Sequence, residues 1–342
     1  MPIVRVREVV KETADAHTLV LEAPEGEPLD YVAGQFLTLR IPTERPEGAA
    51  RCYSLCTAPG VDPFPAVTVK RTAGGYASNW LCDHVGVGSE LEVLAPSGIF
   101  TPGSTDDDLL LFAGGSGITP VMSILKTQLS SGTGSVVLVY GNRDEHSVIF
   151  AEQLRELVRA HPDRLRVVHW LESVQGLPTL EVLAGLVRGL LGASAPAAYQ
   201  AFVCGPGPFM DLVEQTLASL GVPERQVHVE RFTSLTGDPF AGPAEIDTDA
   251  AASEVEVTLN GETRVLSWPE SNNLVDVMLA AGMEAPYSCR EGACSACACI
   301  VLDGEVSMDR NEVLDDADLA DGLVLGCQAR PRSPRIRLSY DG

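Results

Sequence analysis

The chain has 342 residues and a formal net charge of −23, with 47 acidic against 24 basic side chains. Such a chain lacks the excess of Lys and Arg that nucleic-acid phosphates require, and it is disfavoured at anionic membrane surfaces. At about 150 residues per domain, a chain of 342 residues suggests two or three domains. The 45% of hydrophobic residues is enough for more than one core. The acidic charge either maintains solubility through self-repulsion or steers the protein towards a basic redox partner.

The first ten residues, MPIVRVREVV, alternate apolar and charged side chains, which is typical of a strand and not of a secretory signal. No apolar run reaches the length of a membrane span, so we expect a cytoplasmic monomer without membrane contact. Nine cysteines in that compartment are not expected to form disulfides, and the grouping of four of them late in the chain indicates a metal site.

Residues 1–103 contain short, evenly spaced strand patterns interrupted by Gly and Pro, which predict a small antiparallel β-barrel. The clearest of these patterns are Val4–Val10, Thr18–Glu22, Phe36–Ile41 and Ala66–Arg71.

Residues 104–236 alternate apolar strand patterns with helical ones, which predicts an α/β domain with a parallel sheet. The predicted strands are Leu109–Ala113, Ser135–Tyr140, Leu165–His169 and Ala201–Cys204, and the predicted helices are Val121–Leu129, Phe150–Arg159 and Phe209–Leu220.

Residues 237–252 are rich in Gly, Pro, Ala and Asp and show no apolar periodicity, so they are interpreted as an interdomain linker. Residues 253–342 then form a third domain. It opens with a hairpin, in which Asn260-Gly261 joins strands Val255–Leu259 and Arg264–Ser267, and a helix near Leu274–Ala281 follows.

Four cysteines in the third domain have the plant-type [2Fe–2S] spacing, C-x4-C-x2-C followed by a distant fourth cysteine. They are Cys289, Cys294, Cys297 and Cys327. Structural zinc sites usually combine two CxxC-like elements, and only one such pair is present. Cys299 is the nearest competing ligand, but alternation along a predicted strand turns it away from Cys297, so it is interpreted as a core residue.

The stretch PYSCREGACSACACIVLDGEV, together with LGCQARP, resembles a plant-type ferredoxin. That resemblance implies a β-grasp fold for the third domain.

In the first domain, Arg51-Cys52-Tyr53-Ser54 follows a predicted strand and resembles the RxYS motif of the ferredoxin–NADP reductase superfamily. Arg51 offers a cation for the flavin pyrophosphate, Tyr53 an aromatic cover for the ring, and Ser54 a hydroxyl. The superfamily assigns that hydroxyl to flavin N5. Alternation along the strand puts Arg51 and Tyr53 on one face.

The segment VKRTAGGYASNWL, residues 69–81, looks like a phosphate-binding loop that leads into a helix, although an ordinary capped helix would have the same pattern. The resemblance places the FAD phosphates on Gly75, Ala77 and Ser78, with backbone contacts at Val69 and Arg71.

GGSGITP, residues 114–120, has Pro120 where a Rossmann fingerprint would have its third glycine. It matches instead the nicotinamide loop of the reductase superfamily, in which Gly115 and Gly117 allow close approach to the pyrophosphate. Thr119 lies where that family contacts both flavin and nicotinamide.

VCGPGPFM, residues 203–210, resembles the second nicotinamide element of the superfamily, which implies that Cys204, Gly205 and Pro206 contact the nicotinamide. A buried strand-end cysteine is the ordinary alternative for Cys204. By the same resemblance Phe232 lies near the flavin ring.

The choice between NADH and NADPH rests on two neighbouring residues after the second α/β strand. Arg143 could pair with a 2′-phosphate, whereas Asp144 could accept a hydrogen bond from a ribose 2′-hydroxyl and repel phosphate. We expect NADH, with NADPH as the alternative.

The order flavin barrel, nicotinamide domain, ferredoxin resembles the reductase components of multicomponent oxygenases. The stretch MDRNEVLDDADLADGLVLGCQARP favours the reductases of steroid-degrading 3-ketosteroid 9α-hydroxylases, with those of phenylacetyl-CoA epoxidases as the alternative. This resemblance implies electron flow from NADH through FAD and [2Fe–2S] to a Rieske or di-iron oxygenase. Ser54, Thr119, Cys204 and Phe232 would position the reacting rings, with no strong acid or base. A redox-sensing iron–sulfur regulator is a third possibility.

Overall fold

The computed structural model describes residues 2–23, 29–43, 49–242, 244–314 and 316–341. Contacts within the chain divide it into two compact units. The first unit comprises residues 1–39, 52–96 and 100–232, and the second comprises residues 40–51, 97–99 and 233–342. Among the described residues, none of the helices is both long and apolar enough to cross a bilayer.

The N-terminal part is an antiparallel β-barrel with one helix. Its elements are β1 (Ile3–Lys11), β2 (Ala16–Glu22), β3 (Phe36–Arg40), β4 (Ala50–Ser54), β5 (Ala66–Lys70), α1 (Tyr76–His84) and β6 (Glu90–Glu92). The strands form a sheet in the order β5-β2-β1-β6 and a β3-β4 pair. Single bridges from Leu39 to Val93 and from Leu55 to Val67 connect the two sheets. In β1, Val4 and Val6 are fully buried while the arginines between and after them are exposed, as the alternation predicts.

The α/β part is a five-stranded parallel sheet in the order β11-β10-β7-β8-β9. Its elements are β7 (Leu109–Gly114), α2 (Ile118–Ser131), β8 (Val136–Asn142), α3 (Ala151–Ala160), β9 (Leu165–Leu171), α4 (Glu172–Gln175), α5 (Leu180–Leu191), β10 (Gln200–Cys204), α6 (Gly207–Ser219) and β11 (Val227–Glu230).

The central strand β7 is buried on both faces, which explains its uninterrupted apolar run. Leu109 and Leu111 pack with α2, whereas Leu110 and Phe112 pack with α5 and α6. Because the chain moves in opposite directions from β7 and β10, their carboxyl ends form the switch point at which doubly wound sheets bind ligands.

The second unit has the β-grasp arrangement expected from the sequence. Its elements are β12 (Ala252–Leu259), β13 (Glu262–Pro269), α7 (Leu274–Ala280), β14 (Ala298–Asp303), β15 (Val306–Met308), α8 (Asp316–Ala320), β16 (Leu323–Leu325), β17 (Ala329–Pro331) and β18 (Arg335–Ser339). The sheet order is β13-β12-β18-β14-β16, with β12 and β18 parallel. Asn260 and Gly261 both have positive φ, the geometry of the tight hairpin turn.

Residues 237–252 differ from the loose linker expected from their composition. They belong to the second unit and lie against it. Asn272 accepts a hydrogen bond from the backbone N–H of Asp247 at 3.0 Å and donates one to the carbonyl of Glu245 at 3.0 Å. Ile246 packs on the core of the unit, and Pro243 lies outside the described residues. Apolar periodicity did not predict these contacts, because the segment is held to the second unit by backbone hydrogen bonds more than by a stripe of apolar side chains.

Substitution of Trp268, on β13, tests how much the core of the second unit contributes to stability. It is fully buried, and its indole N–H donates to the carbonyl of Asn272 at 2.9 Å. Trp268→Phe removes volume and leaves that carbonyl unpaired, so we expect a loss of about 2–4 kcal/mol of unfolding free energy. Val265→Ala, at an exposed position of the same strand, should change it by less than about 0.5 kcal/mol. Denaturation followed by circular dichroism measures both; equal midpoints would contradict this account.

Candidate functional site

Four cysteine side chains of the second unit converge around the loop of residues 289–297. The backbone N–H of Cys289 donates to Cys294 Sγ, and that of Cys327 donates to Cys297 Sγ, each at 3.3 Å. Cys289 Sγ in turn accepts from the N–H of Ala293 at 3.3 Å. Backbone donors directed at sulfur favour thiolates and the anionic cluster that they would hold.

The loop can wrap this closely because of Gly292. Its φ is +73°, and a Cβ there would lie 2.7 Å from the carbonyl oxygen of Arg310. Arg290 and Ser295 also have positive φ, at 59° and 55°. The small residue between the first two ligands is therefore required both sterically and conformationally.

The four thiols shift one another's pKa. Hydrogen bonds from the Cys294 and Cys327 thiols, followed by backbone N–H groups, lower the pKa of Cys289. Hydrogen bonds with Cys289 and Cys297 raise the pKa of Cys327. Within the described residues, no three His, Cys, Asp or Glu side chains form a group suited to one metal ion. A plant-type [2Fe–2S] cluster would need all four thiolates, two for each iron.

Cys299 does not join this group. It is buried in the core of the second unit, and burial raises the pKa of its thiol to about 12. It pairs with Val324 of the neighbouring strand β16.

The RCYS segment occupies the end of β4. Ser54 is buried, and its hydroxyl donates to Oε2 of Glu230 at 3.1 Å. Tyr53 is partly exposed. Arg51, which belongs to the second unit, donates to the carbonyls of Ala50 at 2.6 Å and Leu235 at 3.0 Å. A guanidinium has five N–H donors, so two such bonds leave others for a phosphate.

Glu230 is a site residue that sequence reasoning missed. Burial raises the pKa of its carboxyl to about 8, although the Ser54 hydroxyl opposes that rise. In the parallel sheet it is the register partner of Cys204, which is fully buried. Burial, followed by the charge of Glu230, raises the pKa of Cys204 well above its usual range. The side chains meet only because β4, β10 and β11 converge, and no sequence spacing reveals that.

The proposed phosphate loop leads into α1. Gly75 is the N-cap residue and provides no capping side chain, and Ser78 accepts from the backbone N–H of Thr72 at 3.1 Å. A glycine at the N-cap is compatible with anion binding at a helix N-terminus but does not show it. The backbone N–H of Arg71 donates to Asp15 at 2.7 Å, so only its carbonyl remains for a cofactor contact.

Val69 and Ala77 are both buried, so only their backbone groups can serve a ligand. The guanidinium of Arg71 is committed to Asn79 at 3.3 Å and to Asp83 at 2.6 Å.

The two nicotinamide elements meet at the switch point with almost no space between their backbones. A Cβ on Gly117 would lie 2.1 Å from the carbonyl oxygen of Cys204, and one on Gly205 would lie 2.9 Å from Cα of Gly114. A Cβ on Gly114 would lie 2.7 Å from Cδ of Pro206. Gly115 has a φ of +52°. Gly114, Gly117 and Gly205 are thus required for packing of the two loops.

Thr119 and Pro120 lie in the first turn of α2, and both are buried. The Thr119 hydroxyl donates to the carbonyl of Ser116 at 3.0 Å, which leaves its oxygen as an acceptor.

Lys70 is a second residue that the sequence analysis missed. Its Nζ would lie 3.6 Å from a Cβ on Gly115, beside the nicotinamide loop. Partial burial is the main reason that the pKa of Lys70 is lowered. A lysine near the end of a predicted strand, just before a glycine loop, was the signal available in the sequence.

Phe232 is 49% exposed and follows β11 by two residues, so an aromatic ring lies at the surface beyond Glu230.

Arg143 and Asp144, on which the choice between NADH and NADPH depends, both make side-chain hydrogen bonds within the protein. Arg143 pairs with Asp15 at 3.0 Å, and Asp144 accepts from Ser147 and from the N–H of His146 at 2.9 Å each. The Ser147 hydroxyl is the main cause of the lowered pKa of Asp144.

Three family models match the chain in succession. They are an oxidoreductase FAD-binding domain over residues 3–101, an oxidoreductase NAD-binding domain over residues 111–215, and a 2Fe-2S iron-sulfur cluster binding domain over residues 257–332.

Two curated relatives and one solved structure extend over nearly the whole chain. The ferredoxin reductase component of 3-ketosteroid-9-alpha-monooxygenase from Rhodococcus rhodochrous is 55% identical to this chain. The alignment covers 99% of this chain and 96% of the relative. A component of 1,2-phenylacetyl-CoA epoxidase from Escherichia coli K12 is 34% identical, with 98% and 96% covered. Phthalate dioxygenase reductase shares the fold, with a TM-score of 0.59 at 24% identity over 99% and 97%.

The three matched domains correspond to the barrel, the parallel sheet and the β-grasp unit. Identity of 55% over 344 residues leaves no large segment of the chain outside the relationship. The chain belongs to the family of ferredoxin reductase-type oxidoreductases that combine FAD-binding, NAD-binding and [2Fe–2S] domains in one polypeptide.

Proposed function

We propose that this reductase takes electrons from NADH and delivers them, through FAD and the [2Fe–2S] cluster, to the terminal oxygenase of a 3-ketosteroid 9α-hydroxylase. The main support is that a nicotinamide–flavin site and four converging cysteines occur in one chain. The steroid assignment follows the relative at 55% identity, whereas the epoxidase component at 34% is the alternative. When bound, FAD supplies a two-electron acceptor for hydride, and the cluster supplies a one-electron carrier.

Ser54, Thr119, Cys204 and Phe232 would hold the reacting rings in this proposal. Ser54 presents a hydroxyl whose orientation is set by Glu230, and Thr119 presents an oxygen at the start of α2. Cys204 is too buried to ionise and therefore acts as a neutral, polarisable surface for the nicotinamide. Phe232, being exposed, can move aside when a nicotinamide approaches.

Glu230 adds a proton-holding group that the sequence analysis did not anticipate. With a pKa near 8, its carboxyl is mostly protonated at neutral pH and hydrogen-bonded to Ser54. A neutral acid beside the reacting atoms can hold or release a proton when charge develops there.

Phosphates would bind where backbone donors and cations are available. By the resemblance, Gly75, Ala77 and Ser78 would bind the flavin diphosphate, with backbone contacts at Val69 and Arg71, and Arg51 would contribute the cation of the RxYS motif. Gly115, Gly117, Pro120, Gly205 and Pro206 shape the nicotinamide site. Lys70 supplies its cation.

NADH is the preferred nucleotide in this proposal, because Arg143 is paired with Asp15 and Asp144 beside it carries a negative charge. A 2′-phosphate would meet that charge, whereas a 2′-hydroxyl could donate to it.

A Rieske oxygenase is the proposed acceptor. Plant-type clusters lie near about −400 mV and Rieske centres above about −150 mV, so transfer is favoured by roughly four decades. A di-iron acceptor would satisfy the same argument. The reduced state of thiols in the cytoplasm fits nine cysteines that form no disulfide, so we place the protein there. A monomer is the proposed oligomeric state. The domain boundaries near residues 103, 236 and 252 remain part of the proposal.

The four-cysteine site is tested by Cys294→Ser, with Cys299→Ala as the control. Losing one thiolate should remove the cluster absorbance and nearly abolish NADH-dependent cytochrome c reduction, while ferricyanide reduction at the flavin remains. Cys299→Ala should retain both activities, because Cys299 is a core residue. Flavin bands without cluster absorbance in the wild type, or full cytochrome c activity in Cys294→Ser, would overturn the electron route. NADH-driven steroid hydroxylation with the oxygenase tests the substrate.

Glu230 predicts a specific pH dependence of stability. Its folded-state pKa of about 8 exceeds the ordinary value of 4.5, so the unfolded chain releases this proton first as pH rises. Stability is therefore lost between pH 4.5 and 8. Glu230→Gln lacks this effect, and its melting temperature relative to wild type should rise from pH 5 to pH 9. Glu224→Gln, an exposed control, should show a constant difference; a constant difference for Glu230→Gln would refute the assignment.

Lys70→Ala should raise the KM for NADH roughly tenfold or more, since a charge-assisted hydrogen bond to phosphate contributes about 1.5–3 kcal/mol. FAD content should not change, and Lys11→Ala, at an exposed strand end, serves as the control. The comparison uses steady-state ferricyanide reduction. An unaltered KM would remove Lys70 from the nicotinamide site.

A further inference from the structure

Arg290 and Glu291 lie between the first two cysteine ligands, yet neither side chain is a ligand. Both side chains extend from the cluster loop, residues 289–297, to the segment of residues 233–242, which we call the strap. Loop and strap belong to the same unit. The contacts between them were not expected from a segment with the composition of a linker.

Glu291 binds the strap through its carboxylate. The backbone N–H of Thr236 donates to Oε1 at 2.9 Å and to Oε2 at 3.1 Å, and the Thr236 hydroxyl donates to Oε1 at 2.8 Å. The N–H of Gly237 also donates to Oε1. Successive backbone N–H groups around one carboxylate form an anion-binding nest. On its other side, the N–H of Glu291 donates to Cys289 Sγ at 3.3 Å, so one residue connects strap and ligand.

Arg290 binds the other end of the strap. Its Nη1 donates to the carbonyls of Ala241 and Gly242 at 3.0 Å each, and its Nη2 pairs with Asp276 at 2.8 Å. The side chains of Arg290 and Asp276 are only 18% and 9% exposed. Arg290 has a φ of 59°, a conformation that a non-glycine residue holds only when its surroundings enforce it.

A third contact closes the group, because the Thr233 hydroxyl donates to the carbonyl of Ala293 at 3.4 Å. The strap is thus hydrogen-bonded to three consecutive non-glycine positions of the cluster loop, Arg290, Glu291 and Ala293, with only Gly292 omitted. A loop that supplies three of four thiolate ligands would be ordered by its metal, since binding energy at such sites is also folding energy. Order in the loop must then pass to the strap, and the coupling is reciprocal.

We propose that Arg290 and Glu291 are positioning residues that fasten the strap to the cluster loop, so that cluster retention and strap order depend on each other. The inference rests on the iron–sulfur site proposed above. Residues that orient metal ligands without binding the metal typically contribute about 10–100-fold to metal affinity.

The test compares Glu291→Ala with Glu262→Ala, whose carboxylate is exposed in the same unit and pairs only with Arg264 among the ion pairs described. Both variants are purified as holoprotein with the cluster absorbance verified. Release of the cluster to an iron chelator should be roughly tenfold faster in Glu291→Ala. Amide exchange at Thr236 and Gly237 should also accelerate roughly tenfold. Glu291→Gln keeps one acceptor oxygen without the charge, so its rates of cluster release and amide exchange should lie between those of Glu291→Ala and the control. Ferricyanide reduction should match wild type in all variants.

Wild-type protein stripped of its cluster supplies the reciprocal measurement, with faster exchange at Thr236 and Gly237 than in the holoprotein. Equal exchange in both forms, or chelator release from Glu291→Ala within twofold of Glu262→Ala, would overturn the coupling. Either result in a protein with normal cluster absorbance would leave the electron-transfer function intact. Absence of cluster absorbance in the wild type would instead reject that function.

Discussion

The close approach of two backbones at the carboxyl ends of β7 and β10 fixes how the loops after these two strands pack. At the contact between Gly117 and the carbonyl of Cys204 there is no room for a single extra carbon atom. This contact sets the start of α2, which begins directly after Gly117, and the position of Cys204, which forms one side of it.

In the first unit, burial governs the ionisation of Cys204 and Glu230. In the second unit, backbone N–H groups that donate to sulfur govern the ionisation of the cysteines. Burial keeps Cys204 and Glu230 uncharged, which suits a site that handles hydride and nicotinamide. In the second unit, N–H groups directed at Cys289 and Cys297 favour negative charge, which suits iron ligation.

Sequence reasoning succeeded where a motif is local. The glycine loops, the cysteine spacing and most strands were predicted because their residues are neighbours in the chain. It did not find α5, an apolar stretch containing two glycines, Gly185 and Gly189, that hide a helical pattern. Glu230 and Lys70 were missed for another reason, since their roles arise from residues of other elements that meet them in space. Composition did not reveal the backbone hydrogen bonds that Glu245 and Asp247 make with Asn272.

The strap also determines where the polypeptide can be divided. A fragment that starts at Ser253, where the hairpin pattern begins, would keep all four cysteines but discard the Thr236 and Gly237 donors to the Glu291 carboxylate and both carbonyls that hold Arg290. A fragment that starts at Thr233, twenty positions earlier, would retain these contacts. Recombining such modules between reductases would have to carry these residues along with the cysteines that they support.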